Sequence, residues 1–458
     1  MSNWAEEETQ TADFGDERLK QRFSIILQQL GDKPQLSIPT ACGGWSETIA
    51  AYRFFDNQKT SFEQILKAHQ DATIARIKVA PVVLLAQDTT ENDERVSLGP
   101  KGFGTLKNSK KMECRLHPTI AFTPEKICLG VIKADYWQRH QKSPRNERRN
   151  KGIDEKESGV WIQSYQESCA LQGQLPGSLL VNISDREGDI YEMFHEYHEH
   201  ETKVRAQFIV RAAQDRRLLK SDYKLFENLE NAPKLGEIET EVKASSNCPK
   251  RVAVLTLRSA TITLQPPART GYKLSEVTLN AVLAKEESPP DGTEGLEWLL
   301  MTSLPVTTFE QAATVVEWYG VRWCIEVYFH VLKSGCQIEE LQLSTVERYL
   351  PCLAIYMIIA WRVLFTLMLG RNCPDMDCEV IFEKEEWQAA YIVVKRLPPP
   401  LKPPSLGEII AMVASLGGYL ARKHDSPPGT KALWIGLQRL RDFVITLDAK
   451  RAVDESCV

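Results

Sequence analysis

The sequence predicts an α/β protein in which a mixed β-sheet domain lies between two helical domains. Aliphatic and β-branched runs at Val82–Leu85 and Leu179–Ile183 are typical of short buried strands. Residues 235–285 alternate apolar and polar side chains, which indicates an antiparallel β insertion with one exposed face. The two chain ends instead repeat apolar residues at helical spacing. We therefore expect three domains, at about 1–75, 76–396 and 405–458.

The N-terminal domain begins with a predicted helix that Asp16 caps and that ends near Gly31. Its apolar face consists of Leu19, Phe23, Ile26 and Leu30. A further helix is predicted up to Phe55, with Ser46 as its N-cap. This domain holds more acidic than basic residues, so any contact with a polyanion must come from few side chains.

The central domain alternates predicted strands and helices. After the first strand come strands at Pro118–Phe122 and Ile127–Ile132, a helix at Trp161–Leu171, the Leu179–Ile183 strand, a helix at Ile190–Tyr197 and a strand at Phe208–Ala212. This order is typical of a mixed sheet of the ribonuclease-H type. Trp298 begins the strand that leaves the β insertion. It is either a core tryptophan or an aromatic surface on which a displaced nucleobase stacks.

The C-terminal third contains an apolar run and a proline-rich linker. Leu350–Gly370 is as long as a membrane span, but Arg362 within it favours a buried helix beneath the sheet. The linker Leu397–Pro404 precedes the last helical domain. There an apolar stripe either packs on its own chain or forms a dimer contact. The stripe comprises Leu437, Leu440, Phe443 and Val444.

Composition excludes several classes of protein. The first residues lack the basic start and apolar run of a secretory signal, so we expect a cytoplasmic protein. The 11 cysteines form no Cys-x-x-Cys pair, which argues against a disulfide framework or a zinc module, including one at Cys373 and Cys378. His195, His198 and His200 do not share one helical face, which argues against zinc there.

Charge is distributed unevenly along the chain. The net charge is −5, which taken globally argues against nucleic-acid binding. Residues 101–151, however, hold thirteen Lys and Arg against four Asp and Glu. This block is either a solvated loop or a surface that faces a polyanion. Within it, Gly102–Lys110 is predicted to be a loop whose lysines can reach phosphate.

Three carboxylates are predicted to converge. Asp88 and Asp185 each follow a buried strand, and ligands bind at strand ends in open α/β sheets. Glu326 lies in the stretch Tyr319–Lys333, which we expect to be one continuous helix. Carboxylates are the ligands that Mg2+ and Mn2+ prefer. Two such cations on three carboxylates can stabilise both the attacking and the leaving oxygen of an in-line phosphoryl displacement.

Four polar residues repeat along that helix. Tyr319, Arg322, Glu326 and Lys333 are separated by offsets of three, seven and fourteen, which places them on one stripe. Arginine, lysine and tyrosine hydrogen-bond phosphate oxygens. Alone, such a stripe is more often simply a solvated helix face; beside two strand-end aspartates it predicts a phosphoryl-transfer site.

The spacing Tyr-x2-Arg-x3-Glu-x6-Lys and the two aspartate strand ends resemble the DDE cut-and-paste transposases of the insertion-sequence-four family, in particular its Tn-five-type members. The likeness covers nearly the whole chain. It extends through Ala51–Phe54, Asp154–Gly159, Leu279–Ala284, Trp298–Ser303 and Leu416–Tyr419.

The resemblance implies a function and a set of residues. The function is recognition of transposon ends, followed by nicking, hairpin formation and strand transfer by a homodimer joined through C-terminal helices. Asp88, Asp185 and Glu326 then hold two divalent cations, Mg2+ or Mn2+. By the same resemblance the DNA contacts are Tyr319, Arg322, Lys333, Trp298, Trp323, Arg211, Arg53, Arg22 and Arg18.

Two alternatives stay open. A ribonuclease-H-like nuclease without strand transfer needs the carboxylates but neither end recognition nor dimer helices. An inactive DNA-binding descendant keeps the basic residues and loses a carboxylate. The presence of Asp88, Asp185 and Glu326 disfavours this second alternative.

Overall fold

A computed structural model describes residues 4–456 except 96–110, 139–155, 200–203, 243–249, 269–272, 342, 344 and 424. The described strands form one mixed sheet of ten strands, with helices from both ends of the chain packed around it. The predicted mixed α/β architecture with helical flanks is therefore confirmed. The loop predicted at Gly102–Lys110 lies outside the described residues, as does much of the basic block.

Five helices form the N-terminal region: α1 (Trp4–Thr9), α2 (Glu17–Asp32), α3 (Ile38–Cys42), α4 (Trp45–Phe55) and α5 (Phe62–Ile77). The Asp16 side chain accepts from the Arg18 backbone N–H at the start of α2. Ser46, by contrast, is not an N-cap. Gly44 occupies that position because its backbone is extended, and α4 begins at Trp45, one residue before Ser46.

The first half of the sheet contains β1 (Val82–Gln87), β2 (Thr90–Arg95), β3 (Lys111–Phe122), β4 (Cys128–Gln138), β5 (Leu179–Ser184) and β6 (Gln207–Arg211). Strands β1 and β2 pair with one edge of β3, and β4 pairs with the other. Strand β5 is parallel to both β1 and β6. Helices α6 (Gly159–Gln174) and α7 (Tyr191–Glu199) flank β5 in the chain.

The antiparallel insertion extends this same sheet. Its strands are β7 (Lys234–Val242), β8 (Arg251–Leu264), β9 (Val277–Lys285) and β10 (Glu297–Thr302), with α8 (Leu225–Glu230) before them. Strand β10 pairs with both β9 and β6, so the insertion joins the central strands edge to edge.

The remaining helices are α9 (Phe309–Gly320), α10 (Trp323–His330), α11 (Val346–Asn372), α12 (Lys384–Lys395), α13 (Leu406–Leu416) and α14 (Thr430–Ser456). Among the described residues, α11 alone is long and apolar enough to cross a membrane, and 83% of its most apolar window is buried inside the protein. It packs against β4 and α5. Its Arg362 donates to the Ile381 carbonyl at 2.7 Å.

Two hydrophobic cores lie on the two faces of the sheet. Alternate residues of β1 point to opposite faces, with Leu84 in the core that contains α11 and Val83 in the core that contains α6. A strand buried on both faces reads as a continuous aliphatic run, as β1 and β5 do. This burial fixes where each strand ends, and with it the positions of the polar residues that follow.

Candidate active site

The two aspartates that follow β1 and β5 lie side by side. In the parallel register Ala86 is opposite Ile183, and Asp88 and Asp185 each come two residues later. Both therefore lie at the carboxyl edge of the sheet. Asp88 accepts a hydrogen bond from the Thr89 backbone N–H at 2.8 Å. Asp185 accepts one from the Glu187 N–H at 2.8 Å and caps a short 3-10 turn.

The predicted continuous helix over Tyr319–Lys333 is wrong. Helix α9 ends at Gly320, a turn at 321–322 follows, α10 ends at His330, and Val331–Gly335 forms a π-helix. The turn has 3-10 character because the N–H groups of Val321 and Arg322 bond three residues back. The four polar residues consequently do not share one straight stripe, although Arg322 and Glu326 remain on the same side.

Arg322 joins two of the three carboxylates. Its guanidinium donates to Asp88 Oδ2 at 3.2 Å and to Glu326 Oε1 at 2.8 Å. The Arg322 side chain is buried, and its Nε has no protein partner among the described residues. A buried guanidinium with a free donor is a ready site for a further anion. Glu326 is thereby held at the same sheet edge as Asp88.

The electrostatics of Asp88 reflect this crowding. Burial raises the pKa of Asp88 to about 6, and the nearby charges of Asp185 and Glu326 add to the rise. Arg322 and the Thr89 N–H oppose it. Arg322 therefore neutralises the negative charge of the carboxylate cluster only in part, and additional positive charge would stabilise the cluster.

Aromatic residues border the cluster. Tyr319 is buried and faces Arg322 and Arg211; burial raises the pKa of its hydroxyl. The Trp298 ring contacts the Tyr319 ring edge-on, with 5.7 Å between centroids. Arg211 donates to the Glu297 carbonyl at 3.0 Å, which fixes it beside the start of β10. Through its contact with Tyr319, the Trp298 ring therefore lies close to Arg322 and Arg211.

Two further predicted DNA contacts lie beside these. Trp323 is half exposed and lies against the Arg322 guanidinium, 5.0 Å from centroid to Cζ. Lys333, in the π-helix, donates to the Glu91 carbonyl and pairs with Glu339 at 3.4 Å. Lys333 therefore connects the π-helix that follows α10 to β2, the strand that comes after Asp88 in the chain.

The three N-terminal arginines have different environments. Arg18 pairs with Asp16, and Arg22 pairs with Glu47 on α4. Arg53 is exposed on α4. Trp45, at the start of the same helix, is 80% exposed and was not among the predicted DNA contacts. Its signal in the sequence was a tryptophan directly after a Gly-Gly pair.

Sequence reasoning also missed a buried polar group behind Asp88. His117 on β3 bonds to both Thr89 and Gln87, and Gln87 bonds to Asn182 on β5. The available signal was polar residues at the inner ends of otherwise aliphatic strands, as in Gln87-Asp88. Pairing between those strands could not be deduced from it.

The described part of the chain contains no preformed metal-binding site. No three His, Cys, Asp or Glu side chains there are arranged to hold an ion as they stand. At the carboxylate cluster, Arg322 lies between Asp88 and Glu326. Cys373 and Cys378 are free thiols.

Comparison with known proteins bears on the two ends of the chain. Residues 1–60 match the family model described as "Transposase DNA-binding". Residues 358–457 match the model described as "Transposase Tn5 dimerisation domain". These two matches support a Tn5-like transposase. They also support DNA and a second copy of the chain as partners.

A solved structure with weak similarity is titled "Cryo-EM structure of piggyBac transposase synaptic complex with hairpin DNA (SNHP)". It is 10% identical, with a TM-score of 0.36, over 78% of this chain and 67% of that chain. A similarity of this level adds nothing to the assignment of the site.

Proposed function

We propose that this protein is a DDE transposase of the insertion-sequence-four family that cuts transposon ends and joins them to target DNA. The observation that carries the proposal is the meeting of Asp88, Asp185 and Glu326 at one sheet edge, with Arg322 as the counter-ion of Asp88 and Glu326. The family matches at the two ends of the chain support a DNA-binding region before this centre and a dimerisation region after it.

The donor set fits hard divalent cations, since all three side chains are carboxylates. Asp88, Asp185 and Glu326 would hold two Mg2+ or Mn2+ ions once Arg322 gives up its ion pairs. When bound, these ions supply charge stabilisation to both the attacking and the leaving oxygen of an in-line displacement. The raised pKa of Asp88 agrees with a cluster that needs added positive charge.

The chain's own residues bind and orient the DNA. Arg322, released from Asp88, presents its guanidinium to the scissile phosphate, and Lys333 holds a neighbouring phosphate. Tyr319 hydrogen-bonds the backbone at the same place. A sheet with two parallel strands ending in aspartates is in keeping with the ribonuclease-H type.

The hairpin step needs an unstacked base. Trp298, with one ring edge on Tyr319, offers a face on which a base extruded from the duplex stacks. Trp323 lies against Arg322, and Arg211 is bonded to Glu297, the residue before Trp298. Arg53, Arg22 and Arg18 contact the transposon end from the N-terminal region. We place the activity in the cytoplasm, where the chromosome is accessible.

The test uses purified protein and a labelled duplex that carries the inverted repeats flanking its own gene, with Mg2+ or EDTA. A Mg2+-dependent nick at the repeat boundary, then a hairpin-sized product and joining to a second DNA, supports the proposal. Asp88→Ala and Glu326→Ala should abolish cleavage and keep end binding. Equal loss of binding and cleavage would contradict the assignment of these carboxylates.

Two other results would replace the proposal. Cleavage that ignores the repeats and never joins a second DNA identifies a plain nuclease. Binding to the repeats without cleavage in Mg2+ or Mn2+ identifies an inactive DNA-binding descendant.

A further inference from the structure

A chain of buried hydrogen bonds runs beneath the carboxylate cluster. Ser168 on α6 donates to the Ser164 carbonyl at 2.7 Å, and the Asn182 amide nitrogen bonds to the Ser168 hydroxyl at 3.2 Å. Asn182 Oδ1 accepts from the Gln87 amide at 2.6 Å. Gln87 Oε1 then meets His117 Nε2 at 3.0 Å.

The last hydrogen bond of this series reaches Thr89, the residue next to Asp88. His117 Nδ1 lies 2.8 Å from the Thr89 hydroxyl. Thr89 is adjacent to Asp88 and donates its backbone N–H to that carboxylate. The chain therefore connects α6, β5, β1 and β3 to the residue that contacts Asp88.

The Ser164 carbonyl, at one end of this series of hydrogen bonds, determines which atom donates in each of them. The Ser164 carbonyl can only accept, so the Ser168 hydroxyl donates to it and accepts from Asn182. The carbonyl oxygen of Asn182 must then accept from the Gln87 amide group, and the carbonyl oxygen of Gln87 must face His117. His117 consequently carries its proton on Nε2, and its bare Nδ1 accepts from the Thr89 hydroxyl.

The surroundings of His117 keep it in that state. The ring is fully buried and contacts Trp161 edge-on, 4.6 Å between centroids. Burial, with a smaller effect of Lys133, lowers the pKa of His117 to about 3. A neutral, fixed imidazole of this kind holds neighbouring groups in place.

We propose that His117 is a positioning residue of the catalytic centre. It holds the Thr89 hydroxyl and so fixes the backbone at Asp88 and Thr89. The inference rests on the proposed function, in which Asp88 binds a divalent cation. Hydrogen-bonding partners behind metal ligands orient those ligands, and their loss typically weakens metal binding about 10–100-fold. Asp88 has the Thr89 N–H as such a partner.

The test measures Mn2+ affinity of the full-length protein by titration calorimetry, beside end binding and cleavage. Thr89→Val keeps the side-chain shape and removes the donor, and Thr89→Ser keeps the donor. We expect about 10-fold weaker Mn2+ binding for Thr89→Val and near-normal binding for Thr89→Ser. Cleavage by Thr89→Val should recover at raised Mn2+, with end binding unchanged.

The histidine is tested with a matched control. His117→Gln, which removes the acceptor at Nδ1, should weaken Mn2+ binding as much as Thr89→Val, and the double variant should be no worse than either. His69 is equally buried but bonds to Glu8, away from the cluster. His69→Asn should therefore lower thermal stability without changing Mn2+ affinity.

The outcomes separate the two proposals. If the wild type cleaves with Mn2+ and all His117 and Thr89 variants bind Mn2+ normally, His117 is only a packing residue and the inference fails alone. If wild-type protein binds the repeats but neither binds Mn2+ nor cleaves, the proposed function fails and the inference fails with it.

Discussion

The Arg322 guanidinium donates to Asp88 Oδ2 at 3.2 Å across 234 positions of sequence. The same group donates to Glu326, so one arginine neutralises carboxylates from a strand end and a helix. In the proposed function two divalent cations bind beside this guanidinium, and like charges repel strongly at such distances. We therefore expect Arg322 to exchange partners, from carboxylate to DNA phosphate, when the proposed cations bind.

Replacing Arg322 should separate metal binding from catalysis. Arg322→Ala removes the competing cation, and a charge-assisted hydrogen bond contributes about 1.5–3 kcal/mol. We expect roughly 10-fold tighter Mn2+ binding by calorimetry, together with a cleavage rate at least about 100-fold lower on the labelled repeat duplex. Arg322→Lys, which keeps the charge and loses the fork, should be intermediate in both. Weaker Mn2+ binding by Arg322→Ala would show that Arg322 supports the metal site.

Asp88 should destabilise the metal-free protein at neutral pH. Its pKa is about 6 when folded against an ordinary 3.8, so the folded state binds more protons than the unfolded state between these values. The free energy of unfolding contributed by Asp88 therefore falls as pH rises from about 4 to 6. Asp88→Asn removes this loss and should be about 1–3 kcal/mol more stable than wild type above pH 6.

Urea unfolding in EDTA at pH 4.5 and pH 7.5 measures this effect. The difference between Asp88→Asn and wild type should be roughly a third of its full size at the lower pH and full at the higher. Asp375→Asn, at an exposed aspartate, is the control and should show no such difference. Added Mg2+ should then stabilise wild type more than Asp88→Asn. A variant less stable than wild type at pH 7.5 would mean that the Arg322 ion pair outweighs burial.

Trp298 should matter for the second cut and little for the first. Stacking of a base on an aromatic ring contributes about 1–3 kcal/mol, so Trp298→Ala should slow hairpin formation about 10–100-fold. Trp298→Phe keeps a stacking face and should lose much less. Time courses on a denaturing gel separate nicked from hairpin product. Equal slowing of both steps would indicate that Trp298 supports the fold through Tyr319.

The dimer surface should involve exposed apolar residues of α14. The predicted stripe does not supply it as a whole, since Leu440 and Val444 are buried in their own chain, where α14 packs on α12 and α13. Ile445 is 48% exposed within the region that matches the dimerisation model. Ile445→Glu should therefore shift the protein toward monomer in sedimentation velocity with end DNA present.

A matched substitution controls for general effects. Val79 is exposed and lies outside residues 358–457, so Val79→Glu should leave the dimer intact. Unchanged assembly of Ile445→Glu would place the contact elsewhere in the matched region.

Local patterns were sufficient for most of the strands, though not for β2, and for the identity of their polar ends. Val82–Leu85 and Leu179–Ile183 are buried on both faces, which requires continuous aliphatic residues and makes the following Asp88 and Asp185 conspicuous. The same patterns failed at Tyr319–Lys333. A continuous helical periodicity there conceals the turn at 321–322, which depends on tertiary contacts.

The sequence by itself therefore determined most of the strands, the helical character of both flanks and the chemical types present, because burial imposes a period and an end on each element. The tertiary structure alone decided which elements meet: the parallel pairing of β1 with β5, the Arg322 link to Asp88, the inward stripe of α14 and the bonds of His117. Each of these joins residues distant in the chain. Such pairings follow from the packing of the whole sheet, and no local period encodes them.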